Sequence, residues 1–62
     1  PEELQNKLDE DEAFKTAFEA LTPGRQRGYM LHIAQAKQSK TRINRIEKCI
    51  PNIYKGKGYN ER

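Results

Sequence analysis

The sequence predicts an all-α fold, a small bundle of three to four short helices. One observation is a group of apolar residues at the i, i+3, i+4, i+7 spacing that buries one face of a helix: Phe14, Ala17, Phe18 and Leu21. A second observation is the pair Thr22-Pro23, because Thr suits a helix N-cap and Pro suits the first helical position. A third is that no stretch alternates apolar and polar residues as a half-buried strand would.

The length of the chain bounds the fold to one domain, since it has only 62 residues. We expect residues 1–55 to form that domain and residues 56–62, with glycines between lysines, to form a flexible tail. The single cysteine, Cys49, excludes an intramolecular disulfide. No apolar run approaches the roughly 20 residues of a membrane-spanning helix. A chain this short has a small core, and without a disulfide its stability must come from the packing of its helices.

The charge of the chain is divided between its two parts. Residues 1–20 carry seven acids and two lysines, a net charge of −5, and residues 21–62 carry ten Lys or Arg and two acids, a net charge of +8. Together they give the net charge of +3 of the whole chain. One interpretation is that the two parts attract each other or solvate their helices. The other is that the second part presents an electropositive face to an anionic partner.

The first two helices are predicted over residues 1–8 and 12–21. Glu2 and Glu3 lie in the first turn, where the helix dipole favours negative charge, and the acidic run 9–11 breaks the first helix and caps the second. Pro1 suits the first helical position, yet no cap residue precedes it. We therefore expect a domain cut from a longer protein.

The third helix is predicted from Pro23 to about Lys37, and a fourth follows a break at residues 38–40. Ser39 is the expected cap of the fourth helix. Neither Gly nor Pro enforces the break, so one long helix is the alternative. Pro51 should end or kink the fourth helix near Cys49, because proline removes a backbone donor and clashes with the preceding turn. Gly56 is placed to stop the short segment that follows.

The predicted core combines the large apolar side chains of these helices. Its members are Phe14, Phe18, Tyr29, Ile33, Ile43, Ile46 and Ile50. Gly28 lies inside the third helix, where glycine costs about 1 kcal/mol relative to alanine. Close approach of a neighbouring helix, the second, is the expected compensation.

Arg42 precedes Ile46 by four residues and therefore points along the apolar stripe of the fourth helix. A buried guanidinium needs a partner. One interpretation is structural: an ion pair with an acid such as Glu12 or Glu19, or a side chain that extends to solvent. The other is functional: an anion-binding arginine beside Arg45.

Six basic residues are candidates for one surface that binds an anion or a protein partner: Arg25, Arg27, Lys40, Arg42, Arg45 and Lys48. Two short helices with a basic second member also match a helix-turn-helix loosely. A nucleic-acid-binding module that uses Arg42, Arg45 and Lys48 is therefore the alternative function.

The sequence carries no catalytic or metal-binding pattern. It has no Ser/His/Asp arrangement and no phosphate-cradling loop, and His32 with Cys49 falls short of the four ligands of a zinc site. The acidic run 9–12 lacks the glycine of a calcium loop. Cys49 lies among isoleucines, where burial would raise its pKa and suppress its reactivity. We expect no enzyme activity, no cofactor and no metal.

Several motifs occur in order along the chain: Phe18-x-x-Leu21 with Thr22-Pro23, Arg25-x-Arg27-Gly28-Tyr29, Ile33-x-x-Ala36-Lys37, and Thr41-Arg42-x-x-Arg45-Ile46 with Gly56-Lys57. Together they resemble the bacterial YdeI or OmpD-associated family, which is named for bacteriocin protection. The resemblance covers nearly the whole chain, and Ala-Lys followed by Thr-Arg-x-x-Arg-Ile is its most specific part. Pro51 departs from the family pattern, in which this helix is commonly continuous.

The resemblance implies a small helical domain at the C-terminal end of a larger bacterial protein linked to tolerance of antimicrobial peptides. It supplies no catalytic residues. We expect a non-enzymatic interaction domain whose partner is an unknown protein or an upstream domain of the same chain. The expected compartment is the cytoplasm, or the periplasm if a signal precedes this segment.

Overall fold

The computed structural model describes residues 1–60, which contain four α-helices and no strand. The helices are α1 (Glu2–Glu10), α2 (Glu12–Glu19), α3 (Pro23–Ala34) and α4 (Ser39–Tyr54). The predicted all-α class is confirmed. The longest helix, α4, packs against each of the other three.

Side-chain caps begin α2 and α3, as the sequence predicts. The carboxylate of Asp11 accepts a hydrogen bond from the Phe14 amide at 3.1 Å, and the Thr22 hydroxyl accepts one from the Arg25 amide at 3.3 Å. Pro23 occupies the first turn of α3. The bond from the Phe14 amide, with the nearby Lys7 ammonium, lowers the pKa of Asp11. These caps satisfy amides that have no partner within the helix.

The break between α3 and α4 is also confirmed, but its details differ. The third helix ends at Ala34, before the predicted Lys37, and the N-cap of α4 is Gln38, whose side chain makes no cap bond. The prediction that Ser39 caps α4 is wrong. Ser39 is the first residue of the helix, and its side chain bonds the carboxylate of Glu3 on α1 instead.

The prediction that Pro51 ends α4 near Cys49 is wrong, since the helix continues to Tyr54 with Pro51 inside it. A kink at Pro51 stays a prediction. Ile53, two residues beyond the proline, is 1% exposed, and we attribute the continuation to burial of this side chain. Gly56, at φ +76°, ends the helix as predicted. The amides of Gly56 and Lys57 bond the carbonyls of Ile53 and Asn52, which is the Schellman arrangement.

The core matches the prediction for most of its members. Its buried cluster is Leu4, Phe14, Phe18, Leu21, Tyr29, Ile33, Ile46, Cys49 and Ile53, and Ile50 is partly buried against it. Ile43 is 48% exposed, so its placement in the core is wrong. The buried stripe of α4 runs through Ile46, Cys49 and Ile53, and Ile43 lies one turn before it, at the rim.

The predicted tail begins at Gly56. Lys57 and Tyr59 contact α3, and Gly58 between them is buried. The mobility of residues 56–62 stays a prediction, and residues 61 and 62 lie outside the described part of the chain.

Candidate functional site

Two of the six candidate basic residues bond backbone carbonyls, one in the last turn of α3 and one in the connection that follows it. Arg45 donates from Nη1 to the carbonyl of His32 at 2.6 Å, and Arg42 donates from Nε to the carbonyl of Ala36 at 2.7 Å. Carbonyls at a helix C-terminus have no partner within the helix, and the helix dipole favours positive charge there. These two arginines therefore fix the approach of α4 to α3.

Arg42 also reaches α1. Its Nη1 lies 3.5 Å from Oε1 of Glu3, so the expected acidic partner in the first part of the chain is confirmed, although it is neither Glu12 nor Glu19, the two acids given as examples. The hydrogen bond from Ser39 lowers the pKa of Glu3, and the charge of Arg42 adds to the effect. Arg42 thus links α1, the α3–α4 connection and α4.

The other four basic candidates lie elsewhere. Arg25 and Arg27 occupy the beginning of α3, and about 10 Å of helix separates Arg25 from His32. Lys40 and Lys48 are exposed on α4. The structure thus brings Arg42 and Arg45 together at the end of α3, while Arg25 and Arg27 stand at its beginning.

An aromatic contact joins the C-terminal segment to α3. The ring of Tyr59 stacks on His32 with centroids 4.7 Å apart, and the hydroxyl of Tyr29 donates to the carbonyl of Lys57 at 2.6 Å. Burial, and then the charge of Arg45, lower the pKa of His32. Sequence reasoning missed this contact because it treated Tyr59 as part of a tail.

Tyr59 also explains the glycine within α3. A Cβ added at Gly28 would lie 3.3 Å from the Tyr59 ring, and apart from its own helix it would meet no other residue of the described range 1–60 within 4 Å. The prediction that α2 approaches Gly28 closely is wrong, because the close neighbour is Tyr59 of the C-terminal segment. The aromatic residue that follows Gly58 is the signal that could have indicated it.

A groove of about 350 Å³ opens between α1 and α4. Ile46 is buried along it and Ile43 is half-exposed at its edge. Its polar side chains are Glu3, Asn6, Lys7, Glu10, Ser39 and Glu47. Sequence reasoning missed this groove because the periodicity of α4 placed Ile43 in the core.

The thiol of Cys49 is buried, and burial raises its pKa. Residues 1–60 contain no group of three or more His, Cys, Asp or Glu side chains that could hold a metal ion. None of the helices in this range has the length and apolar character needed to cross a bilayer.

Comparison with known proteins decides the family. Residues 1–56 match the model of the family described as Bacteriocin-protection, YdeI or OmpD-Associated. The chain belongs to this family. It is 67% identical over 58 residues to Uncharacterized protein YdeI of Bacillus subtilis (strain 168). That alignment covers 94% of this chain and 29% of the relative. No solved structure matches the chain.

The segment Thr41-Arg42-x-x-Arg45, which is part of the resemblance described above, has a defined position in the structure. Its two arginines bond the end of α3, and Arg42 extends to α1. The arrangement can hold the helices of the bundle together, while the groove between α1 and α4 stays open.

Proposed function

We propose that this chain is a non-enzymatic interaction domain of a cytoplasmic bacterial protein that takes part in bacteriocin tolerance. The observation that carries the proposal is the groove between α1 and α4, where Ile43 is 48% exposed beside the buried Ile46. An apolar side chain at the edge of an open groove can anchor a partner.

The reactive side chains support a role without catalysis. Burial raises the pKa of the Cys49 thiol, which disfavours the thiolate that would act as a nucleophile. His32 stacks on Tyr59, and the guanidinium groups of Arg42 and Arg45 bond backbone carbonyls.

The partner is an unidentified protein or another domain of the same protein. The chain spans 29% of the length of the curated relative that it matches, which leaves room for further domains in that relative. In the nucleic-acid alternative, Arg42 and Arg45 would contact phosphate only through the N–H groups that do not already donate to the carbonyls of Ala36 and His32. No observation favours it, and we do not propose it.

The test is a survival assay in cells that produce the protein with one exposed apolar side chain changed at a time. We expect Ile43→Ser to lower survival under bacteriocin challenge toward the level of a strain that lacks the protein. Leu31→Ser is the matched control, since Leu31 is 58% exposed and lies outside the groove. Thermal melting of both purified variants checks their folding.

A second series extends the assay to the other exposed apolar residues, Met30, Tyr54 and Tyr59. Normal survival in every variant, with poor survival in the deletion strain, would contradict an interaction through these side chains. Cell fractionation tests the compartment, and recovery of the protein in the periplasmic fraction would contradict the proposed cytoplasmic location.

A further inference from the structure

Some of the charged side chains that line the groove between α1 and α4 have partners of opposite charge, and others do not. The carboxylate of Glu3 accepts from Ser39 and faces Arg42. The ammonium of Lys7 lies 3.2 Å from the carboxylate of Asp11. These two groove residues therefore already have partners of opposite charge or complementary polarity.

The ammonium group of Lys7 also contacts an aromatic ring of the core. Its Nζ lies 5.7 Å from the centroid of the Phe14 ring, within the range of a cation–π contact. The positive charge at the groove is thus held by Asp11 and Phe14, neither of which lines the groove.

Glu10 and Glu47 line the same groove and have no ion pair or hydrogen bond from another side chain within residues 1–60. Both are exposed. Ile43 contributes exposed apolar surface one turn before Glu47. The groove therefore offers two uncompensated negative charges, one from each helix, beside an apolar contact.

We propose that the groove binds a basic amphipathic helix of a protein partner. An apolar side chain of that helix packs on Ile43, and Lys or Arg side chains flanking it pair with Glu10 and Glu47. The proposal rests on the proposed function as an interaction domain and names the chemistry of the partner.

The form of the partner follows from the walls of the groove. Both walls are helices, so the groove has no strand edge to which an extended peptide could add. A helix brings its own backbone bonds and presents side chains at i, i+3 and i+4. A volume of about 350 Å³ is at the lower end for a ligand pocket, which suits inserted side chains of a helix lying across the opening.

The charge of the groove also selects the class of partner. Carboxylates repel phosphate groups, so this surface disfavours nucleic acid and anionic lipid. Complementary charges raise the association rate and suppress wrong partners. Binding should accordingly weaken as salt rises but persist through the apolar contact at physiological salt.

The test is an amide NMR titration of the chain with a synthetic helical peptide of Leu and Lys arranged with one apolar face, at physiological salt. Two control peptides have the same composition with scrambled order, or Glu in place of Lys. We expect shifts centred on Glu10, Ile43 and Glu47 with the amphipathic basic peptide. Equal affinity for the scrambled peptide, or preference for the acidic peptide, overturns the proposal.

Charge reversal then assigns the site. Glu47→Lys should weaken binding by about 10-fold or more, since a like charge replaces the attractive one. Glu10→Lys is the second variant, in case the first disturbs α4. Glu19→Lys is the matched control, because Glu19 is exposed on α2 and does not line this groove. It should leave the affinity within roughly twofold. An equal loss in the control would show unspecific attraction and overturn the proposal.

The two proposals fail in different ways. If no peptide binds, yet Ile43→Ser still lowers survival in cells, the interaction domain stands and the basic helix as its partner is wrong. If Ile43→Ser has no effect in cells and a different exposed side chain does, the groove itself is the wrong surface.

Discussion

The two sides of α4 differ in how their polar groups are used. On the side of α3, Arg42 and Arg45 bond backbone carbonyls at 2.7 and 2.6 Å, and the segment after α4 adds the bond from Tyr29 to Lys57. On the side of α1, the groove leaves Glu10 and Glu47 without ion-pair partners in the described chain.

This difference separates stability from binding on one helix. Charged groups that bond the protein's own backbone hold the fold and are costly to remove. Exposed carboxylates without partners contribute little to stability and are available to another molecule. The charge pattern of the sequence indicates a basic binding surface, but the open surface of α4 in the structure is the acidic groove that it forms with α1.

The largest effect should separate two isoleucines one turn apart. Ile46→Ala should destabilise the fold by about 2–5 kcal/mol, because Ile46 is 4% exposed and its truncation leaves a cavity. Ile43→Ala should cost about 0.5 kcal/mol, because Ile43 is 48% exposed. Urea unfolding of both variants measures the difference. Equal losses would show that Ile43 is part of the core and that the groove is not open at that edge.

The arginine contacts should rank next. Arg45→Ala and Arg42→Ala should each cost roughly 1.5 kcal/mol, at the lower end for hydrogen bonds of a charged group, since both side chains are half-exposed. Lys48→Ala is the matched control, because Lys48 is exposed on the same helix. It should change the free energy of unfolding by less than about 0.5 kcal/mol. If urea unfolding gave the same loss of free energy for both arginine variants and for Lys48→Ala, the structural role that we assign to the arginines would be wrong.

Local sequence signals predicted most of the fold. The caps Asp11 and Thr22 act within one turn, so they can be identified without knowledge of the tertiary structure. The continuation of α4 beyond Pro51 cannot be predicted from local sequence, because it depends on the burial of Ile53 by other parts of the fold. Local helix propensity predicted a stop at the proline, and tertiary packing prevailed.

The candidate site was harder to predict for a related reason. Periodicity places Ile43 on the same face as Ile46, but it does not show how far along that face the neighbouring helices extend. It therefore cannot predict that Ile46 is covered and Ile43 is exposed. The interpretation of Arg42 as a structural residue predicted an acidic partner in the first part of the chain. Only the fold could select Glu3 for that role.

The contact between the C-terminal segment and α3 should affect stability less than the arginine contacts do. Gly28→Ala gains helix propensity of about 1 kcal/mol at most, but the new Cβ lies 3.3 Å from the Tyr59 ring. We expect a smaller gain in the native chain than in a chain with Tyr59→Ala. A double-mutant cycle by thermal melting measures this coupling. Zero coupling would indicate that Tyr59 is not held against α3 in solution, which would favour a mobile tail.

The smallest effect concerns pH and again divides the two sides of α4. On the α3 side, burial and Arg45 lower the pKa of His32 below its ordinary 6.5, so the unfolded chain binds this proton more readily. Stability should therefore decrease as the pH falls through 6.5. On the α1 side, the pKa of Glu3 is lowered from 4.5, so its stabilising effect is lost only as the pH falls below that value.

Melting temperatures between pH 7.5 and 5.5 cover the range in which an imidazole with an ordinary pKa changes its charge. The native chain should melt at a lower temperature at pH 5.5, and His32→Gln should show a weaker dependence on pH. NMR titration of the His32 ring gives its pKa directly. A value at or above 6.5 would mean that neither burial nor the charge of Arg45 favours the neutral imidazole, and the α3 side of α4 would then be less closed than the hydrogen bonds indicate.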